Sequence, residues 1–579
     1  MHDQSIVKYI NPLSRNAAIP VCDRFVASRP GVRDVGQRSL VYVTLIGTAV
    51  AWSMSLISFL DAKQLVLWAG VLALCTAGSA ARSGRGFAAW APAWTGLAAA
   101  MIATLAAGSF PLFAGLEALR LTALLLFASL AWPLFRNPRG EQGLLAAIAA
   151  ACLLCAALAL LQRAGALNRW FPPYAHYDQP MYSVFGNQGL LGAYLACGLV
   201  ALASLRAPAR PLHRLARGAG AVLLLSAILL AETRAAWVGV AAGGIVLIAR
   251  NMIAWRRAAA WAAIAVALAI LLHAAGLSAL ATRLANTGGP GDDGGNTRAW
   301  IVRASLDLAA AHPFTGVGLG QYARHIPEPL GARATPALGK SAERVTYHAH
   351  LDLLEVGCET GILGLVFAVW LAMRFRARAT GALACLAALA AMSFLHPLWY
   401  SPPHALAGLL FLGCNLRGPR SRRARLPGFA RQSLTVSLAI AGSLAYIVLA
   451  LYPSYLLCRA EDRHVAGLPA GDAYARATAA WGAPPEAFES RGIWALEQGY
   501  YAGADRAFTR ARAGLDTGRI HLLSAQAKAA LGDGGGACRH YGQALQRWPF
   551  NRGVRHEAEA CFQDFGAPIS APDSALPGR

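Results

Sequence analysis

The chain has 579 residues, of which 56% are apolar and only 14% charged, and its formal charge is +23. Soluble domains carry about 25% charged residues, so a wholly soluble protein is excluded. The positive charge lies in short stretches between apolar runs, as the positive-inside rule expects of a membrane protein, which argues against nucleic acid as a partner.

Residues 1–39 form a polar arm with Lys8, Arg15, Arg24, Arg29, Arg33 and Arg38, expected in the cytoplasm. No cleavable signal is expected, because its apolar stretch would lie nearer the start. Apolar runs then recur at about the 17–25 residues that cross a ~30 Å hydrocarbon core as helices. They lie at 40–60, 64–81, 87–107, 113–135, 143–162, 189–205, 218–232, 235–249, 258–275, 352–373, 379–396, 403–416 and 433–457. The expected fold is an all-α polytopic membrane protein of 12–13 transmembrane helices, with its membrane domain over 40–457.

Arg82/Arg85, Arg136/Arg139, Arg206–Arg217, Arg250–Arg257, Arg374–Arg378 and Arg417–Arg431 occupy alternate connections. The positive-inside rule assigns that side to the cytoplasm. The opposite face then holds the short connection Asp61–Lys63, the 163–188 loop, Glu232-Thr233-Arg234, the long 276–350 loop and the run from His396 to Pro403. An odd number of spans sends the tail beyond 458 to that outer face as well. Glu117 and Arg120, one turn apart in the fourth run, either satisfy each other or line a donor groove.

The 11 cysteines show no metal-ligand spacing, and no metal is expected. Cys152 and Cys155 form a CxxC inside an apolar run, where a thiol packs as a small hydrophobe. Cys538 and Cys561 lie in the polar tail and can pair only in an oxidising compartment.

The 276–350 loop is the longest excursion from the membrane. A Gly/Asp run (Gly288 to Gly295) leads into Asn296-Thr297-Arg298-Ala-Trp300-Ile-Val-Arg303, which opens a helix to Ala311. Its period gathers Trp300, Ile301, Ser305, Leu306 and Ala309, suggesting an amphipathic helix on the membrane surface. Gly316-Val-Gly318-Leu-Gly320 reads as a tight turn, since it does not join a strand to a helix as a phosphate loop would. The loop closes with Tyr347-His348-Ala-His350 before the next apolar run, whose first turn would hold Asp352 and Glu355. The 163–188 loop adds Trp170, Tyr174, His176 and Tyr177, suited to an interfacial belt or to stacking on sugars, then Phe185-Gly186-Asn187-Gln188.

Beyond Cys458 the chain is Ala-rich, polar and helical in period. Gly499, Ala504, Phe508 and Ala511 recur 33 residues later as Gly532, Ala537, Tyr541 and Ala544. This pattern suggests tetratricopeptide-like hairpins over 458–565, with further helices near 471–481, 485–498 and 551–562. Such a module docks partners, here an envelope protein. Residues 566–579 look like a disordered end.

Arginine matches phosphate oxygens through its planar fork, and a histidine can take a proton from a hydroxyl. Arg234, Arg298 and a histidine on one face therefore suit transfer from a lipid diphosphate donor without a metal.

ETRAAWVG (232–239), NTRAWIVRASLDLAAAHPFTGVGLGQY (296–322) and YHAHLDLLEVGCETGILG (347–364) resemble the O-antigen ligase/polymerase superfamily, and FGNQGLLGAYL (185–195) matches it in part. The superfamily includes protein O-oligosaccharyltransferases of the pilin-glycosylating kind. The resemblance implies a GT-C-like fold and an inverting, metal-independent glycosyltransferase without a cofactor, set in the bacterial inner membrane with a periplasmic tail. The donor would be a glycan on undecaprenyl diphosphate. The acceptor stays open among lipid A core, a growing glycan and a protein. Arg234 and Arg298 would hold the diphosphate, and His350 would activate the acceptor hydroxyl. His348, two places before the family's histidine, would support them, as would Arg303, Glu232, Asn187 and Tyr347. Two positions depart from the family's pattern: Leu351 stands where Asn or Ser is usual, and Gln188-Gly189 replaces a second Asn. The rival of another class is a lipid-linked sugar transporter, but no inverted repeat is visible.

Overall fold

The computed structural model describes residues 32–52, 59–79, 84–106, 111–167, 181–277, 293–335, 338, 346–418 and 428–565. The expectations for residues 1–31 of the N-terminal arm, for residues 170–179, for most of the Gly/Asp run and for the end beyond 565 fall outside them.

Among the described residues the regular structure is helical, apart from one isolated bridge, Phe375 to Leu416. In chain order the helices are α1 (Val32–Val50), α2 (Phe59–Thr76), α3 (Gly84–Ala89), α4 (Ala91–Ala106), α5 (Pro111–Ala131), α6 (Pro138–Arg163), α7 (Gln188–Ser204), α8 (Pro211–Leu230), α9 (Arg234–Ala249) and α10 (Trp255–Ala274). The long loop holds α11 (Asp293–Ala311), α12 (Tyr322–His325) and α13 (Pro327–Ala332), and the bundle resumes with α14 (Asp352–Met373), α15 (Thr380–Ser393), α16 (Pro402–Cys414) and α17 (Gly428–Tyr446). A π turn (Ile447–Leu451) joins α17 to α18 (Tyr452–Val465), so the helix runs through residue 457 unbroken. The tail follows as α19 (Gly471–Ala479), α20 (Pro485–Glu497), α21 (Tyr501–Arg512), α22 (Gly518–Ala530), α23 (Gly534–Arg547) and α24 (Arg552–Phe565).

Among the described residues six helices are long and apolar enough to cross a membrane, and five further apolar helices are shorter. They divide by environment. Helix α10 buries none of its residues, and Ile264, Val266, Ile270 and Leu271 stand exposed, as side chains facing lipid do. Helix α7 is buried along nearly its whole length, packed on α6, α8, α9 and α15. Lipid gives packed helices no hydrophobic advantage, so close approach through small residues does the work. A Cβ on Gly198 would meet Cys152 at 2.2 Å, and both Cys152 and Cys155 are fully buried free thiols of the packing kind.

The first two spans shift from the expected boundaries. Helix α1 runs from 32 to 50, and Asp61 and Lys63 lie within the first two turns of α2, not in a connection. Fully buried Lys63 donates to the carbonyls of Thr48 (3.3 Å), Ala49 (2.7 Å) and Ala51 (2.9 Å). An ammonium thus covers carbonyls that the end of α1 leaves without helical partners. Asp61 is paired too, accepting from Tyr446 and Ser454.

Basic connections gather at one end of the bundle. Burial, then repulsion from Arg378 and Arg85, pushes the Arg136 guanidinium below its usual value. The amide of Arg417 donates to the Arg374 carbonyl and that of Arg376 to Asn415, tying two of these connections together.

The long loop folds into its own small core of Trp300, Ile301, Ala304, Leu308, Tyr322, Ile326, Leu330 and Cys358. This corrects the surface-helix expectation for α11. Its inner face is Trp300, Ile301, Ala304, Ser305 and Leu308, whereas Leu306 points outward. That face is occupied by α13 and α14 rather than turned to lipid.

The glycine turn is a tight turn, and it has a partner. Helix α14 breaks at Gly361, whose backbone (φ 60°, ψ −156°) is not helical. The break leaves carbonyls and amides without helical partners. The turn supplies them: Val317 donates to Cys358, Gly318 to Glu359, and Ile362 to Pro313. Non-helical backbone at membrane depth is tolerated only where protein or water satisfies it.

The tail stacks consecutive helices, each on its neighbour. Helices α20 and α22 begin 33 residues apart, as do α21 and α23. Phe508 and Tyr541 are buried at equivalent places, and a disulfide joins Cys538 of α23 to Cys561 of α24. Helix α13 of the loop packs on α23, where a Cβ on Gly331 would meet the Gln546 carbonyl at 2.0 Å. The tail is therefore seated on the loop.

Candidate active site

Two helix N-termini meet at the end of the bundle that holds the long loop. Asn187 caps α7, its Oδ1 accepting from the amides of Gly189 (2.7 Å) and Leu190 (3.1 Å). Thr233 precedes Arg234 at the start of α9, and its hydroxyl donates to the carbonyls of Ala231 (3.1 Å) and Gln188 (3.4 Å). Gln188 donates back to the Ala231 carbonyl. Glu232, buried beside them, holds a left-handed backbone (φ 52°). Asn187 and Thr233 thus have structural work, and both helix dipoles present positive ends to one region.

His396 packs on the first of these N-termini, so closely that a Cβ on Gly189 would lie 2.3 Å from its ring. The ring is buried, and its Nε2 has no hydrogen-bond partner among the described residues. Burial, then the charge of Arg298, then His350 push its pKa down to about 3. His350 responds to the same arginine. Burial, then Arg298, then His348 lower it to about 4. Its Nδ1 is also buried without a partner among the described residues. Its backbone is left-handed (φ 55°), a conformation costing about 1–3 kcal/mol at a non-glycine residue and concentrated at functional sites. Arg298, His350 and His396 therefore form one cluster, beside the α7 N-terminus.

His348 turns to different partners. Its Nδ1 lies 2.9 Å from Glu355 Oε1, and its ring sits 4.2 Å from that of Tyr400. The other oxygen of Glu355 accepts from the Ala349 amide at 2.9 Å. The Arg120 guanidinium covers Tyr400 at 4.8 Å, pairs with Glu117 (Nε to Oε2, 2.8 Å) and donates to the Trp399 carbonyl at 2.6 Å. Glu117 and Arg120 thus satisfy each other, as one of the two expectations for them had it, and they also line a cavity. Tyr347 reaches away from the cluster to hydrogen-bond Glu486 of the tail. Arg303 is on another face of α11, in a second cavity with Trp300 and Arg333.

Leu351 occupies the N-cap of α14 in an extended conformation and makes no side-chain cap. Asn or Ser there would cap the helix. Glu355, one turn on, instead holds the Ala349 amide ahead of the helix, and Asp352 accepts from the Trp399 amide at 3.2 Å.

Residues 219–369 match the family model described as O-antigen ligase. Over those residues the chain is similar to the O-antigen ligase family. The match spans α9, the long loop and most of α14, and it includes Arg234, Arg298, His348 and His350. Members of this family are glycosyltransferase-like ligases and polymerases of membranes. No curated protein and no solved structure matches the chain.

The sequence named Arg234, Arg298 and His350 but not His396 as a member of the cluster. Its one signal is a histidine in a Pro- and aromatic-rich connection between apolar runs. Nothing local points from it to Gly189 or Arg298.

Proposed function

We propose that the chain moves a glycan from an undecaprenyl diphosphate carrier to an acceptor hydroxyl at the periplasmic face. The observation that carries this reading is the cluster of Arg298, His350 and His396 beside the N-termini of α7 and α9. Guanidinium charge and two helix N-termini suit a diphosphate. His350, held neutral, can accept the hydroxyl proton. The acceptor oxygen bonds to the anomeric carbon, whose bond to the diphosphate oxygen breaks. The leaving charge faces Arg234 and Arg298, and attack from the side opposite the leaving group inverts the centre. The arginines supply the electrostatic stabilisation that a metal would otherwise give.

The same reading places the basic end of the bundle in the cytoplasm and the tail in the periplasm as a tetratricopeptide-like module. The Cys538–Cys561 pair supports this, because disulfides persist in oxidising compartments.

The test is a strain in which Arg298→Ala or His350→Ala replaces the native chain. The mature glycan should disappear while the lipid-linked donor accumulates. Unchanged glycan in both variants would refute the mechanism. A thiol probe on Arg298→Cys, reactive from one side of the membrane only, separates this enzyme from a transporter, which would expose the position to both.

A further inference from the structure

A cavity of about 390 Å³ lies between the bundle, the long loop and the tail, within the ~300–1,000 Å³ range of ligand pockets. It is not the His350 cluster. Its wall takes Gln64 from α2, Glu117 and Arg120 from α5, His348 from the loop, Glu359 from α14 and Glu486 from the tail. We propose that this cavity is the acceptor subsite, holding an uncharged or amino sugar of a glycan acceptor next to the His348–His350 segment. The proposal rests on the transferase reading above.

Three observations carry it. Gln64 is 2% exposed, and its Oε1 has no partner among the described residues. A buried amide oxygen of this kind lacks the donor that a sugar hydroxyl would provide. The lining is also rich in carboxyl groups: among its described residues are Asp61, Glu117, Glu355, Glu359 and Glu486, with Arg120 and Arg324 as the permanent cations. A carboxylate offers about four acceptor positions. Asp61 uses its oxygens on Tyr446 and Ser454, and Glu355 on His348 and Ala349, so acceptor positions remain for hydroxyl donors. Those carboxylates that are ionised and not paired, as Glu117 is with Arg120, repel phosphate and carboxylate groups, which sets this cavity apart from the arginine-bearing cluster. Finally, the cavity is closed by the tail. Tyr347 bonds Glu486 across the junction, and Leu515 completes the wall. The tail thus takes part in choosing the acceptor and is more than a docking arm.

The experiment reads binding first, on the full-length chain in detergent without donor. The probes are a photoreactive neutral trisaccharide, its phosphorylated counterpart and a Ser-containing peptide. The neutral trisaccharide should label the peptides containing Tyr347 and Glu486, and Gln64→Leu should reduce that labelling about tenfold. Glu486→Gln should raise labelling by the phosphorylated probe. Labelling confined elsewhere, or unchanged in both variants, overturns the cavity. Capture of the Ser peptide in place of the trisaccharide overturns the glycan occupant. Transfer is read second. Gln64→Leu should raise the acceptor KM about tenfold while the donor KM holds. Arg298→Ala should abolish transfer with labelling intact. Labelling that persists while the native chain transfers nothing from a lipid diphosphate would keep the glycan site, overturn its acceptor role and refute the transferase reading.

Discussion

Gly316 lies against the backbone of Glu359, with a Cβ at that position falling 2.3 Å from the Glu359 carbonyl carbon. The contact is one half of a joint. The other half is Gly361, where a Cβ would meet the Phe314 carbonyl at 2.4 Å. Both glycines have positive φ, and the backbone of Gly361 lies in a region that side chains almost never enter. The joint holds the loop that bears Arg298 to the helix that follows His350. Gly316→Ala and Gly361→Ala should each cost more than the about 1–3 kcal/mol of backbone strain alone. Their combined cost should fall short of the sum, because both break the same joint. Thermal unfolding in detergent checks this, and native melting of Gly361→Ala would show that the joint contributes no stability.

The pH response of the site follows from His350. Burial, Arg298 and His348 hold its pKa near 4, below the usual 6.5. A proton therefore binds the unfolded chain more readily than the folded one between those values. Stability from this group is present above pH 6.5 and is lost as pH falls toward 4. As a base, His350 should stay neutral to unusually low pH. The acid limb of kcat/KM should fall near pH 4, and residual activity in Arg298→Gln should lose its limb at higher pH as the neighbouring charge goes. A native limb at 6.5 would show that burial and Arg298 do not depress His350 in the working enzyme.

Leu351 gives a prediction of the opposite sign. It sits at the N-cap of α14 with φ −148° and ψ 101°, a backbone suited to a capping side chain that Leu cannot provide. Leu351→Asn should stabilise the chain by about 0.5–2 kcal/mol. A rise in melting temperature with transfer retained is the expected outcome. A fall would mean that the packing of the Leu351 side chain outweighs a cap at that helix end.

These residues also show where sequence suffices and where it fails. The helical class, the 33-residue period and the loop's glycine turn follow from composition and spacing, which act locally. The partner of the turn does not. Leu319 donates to Thr104 across 215 residues, and no periodicity encodes that pairing. Lys63 read as part of a connection because charge interrupts apolar runs, yet its task is to cover the end of α1. His396 and Gln64 join their sites only when distant helices close over them. Arg298 and His350 were legible because each begins or ends an element that the sequence itself marks.

The disulfide joins the chemistry of the tail to the side of the membrane on which it lies. Cys538 and Cys561 bridge α23 and α24, the helices next to the loop's docking point. In a periplasmic tail both thiols should resist a maleimide mass tag until the denatured protein is reduced. In a cytoplasmic tail they should react without reduction, since thiols there are kept reduced. Replacing both by Ser should destabilise the tail by about 2–4 kcal/mol. If the cavity that Glu486 helps to close is an acceptor site, the same replacement should raise the acceptor KM and spare the donor KM. An effect on the donor KM alone would place the tail's influence on the arginine cluster and not on the cavity.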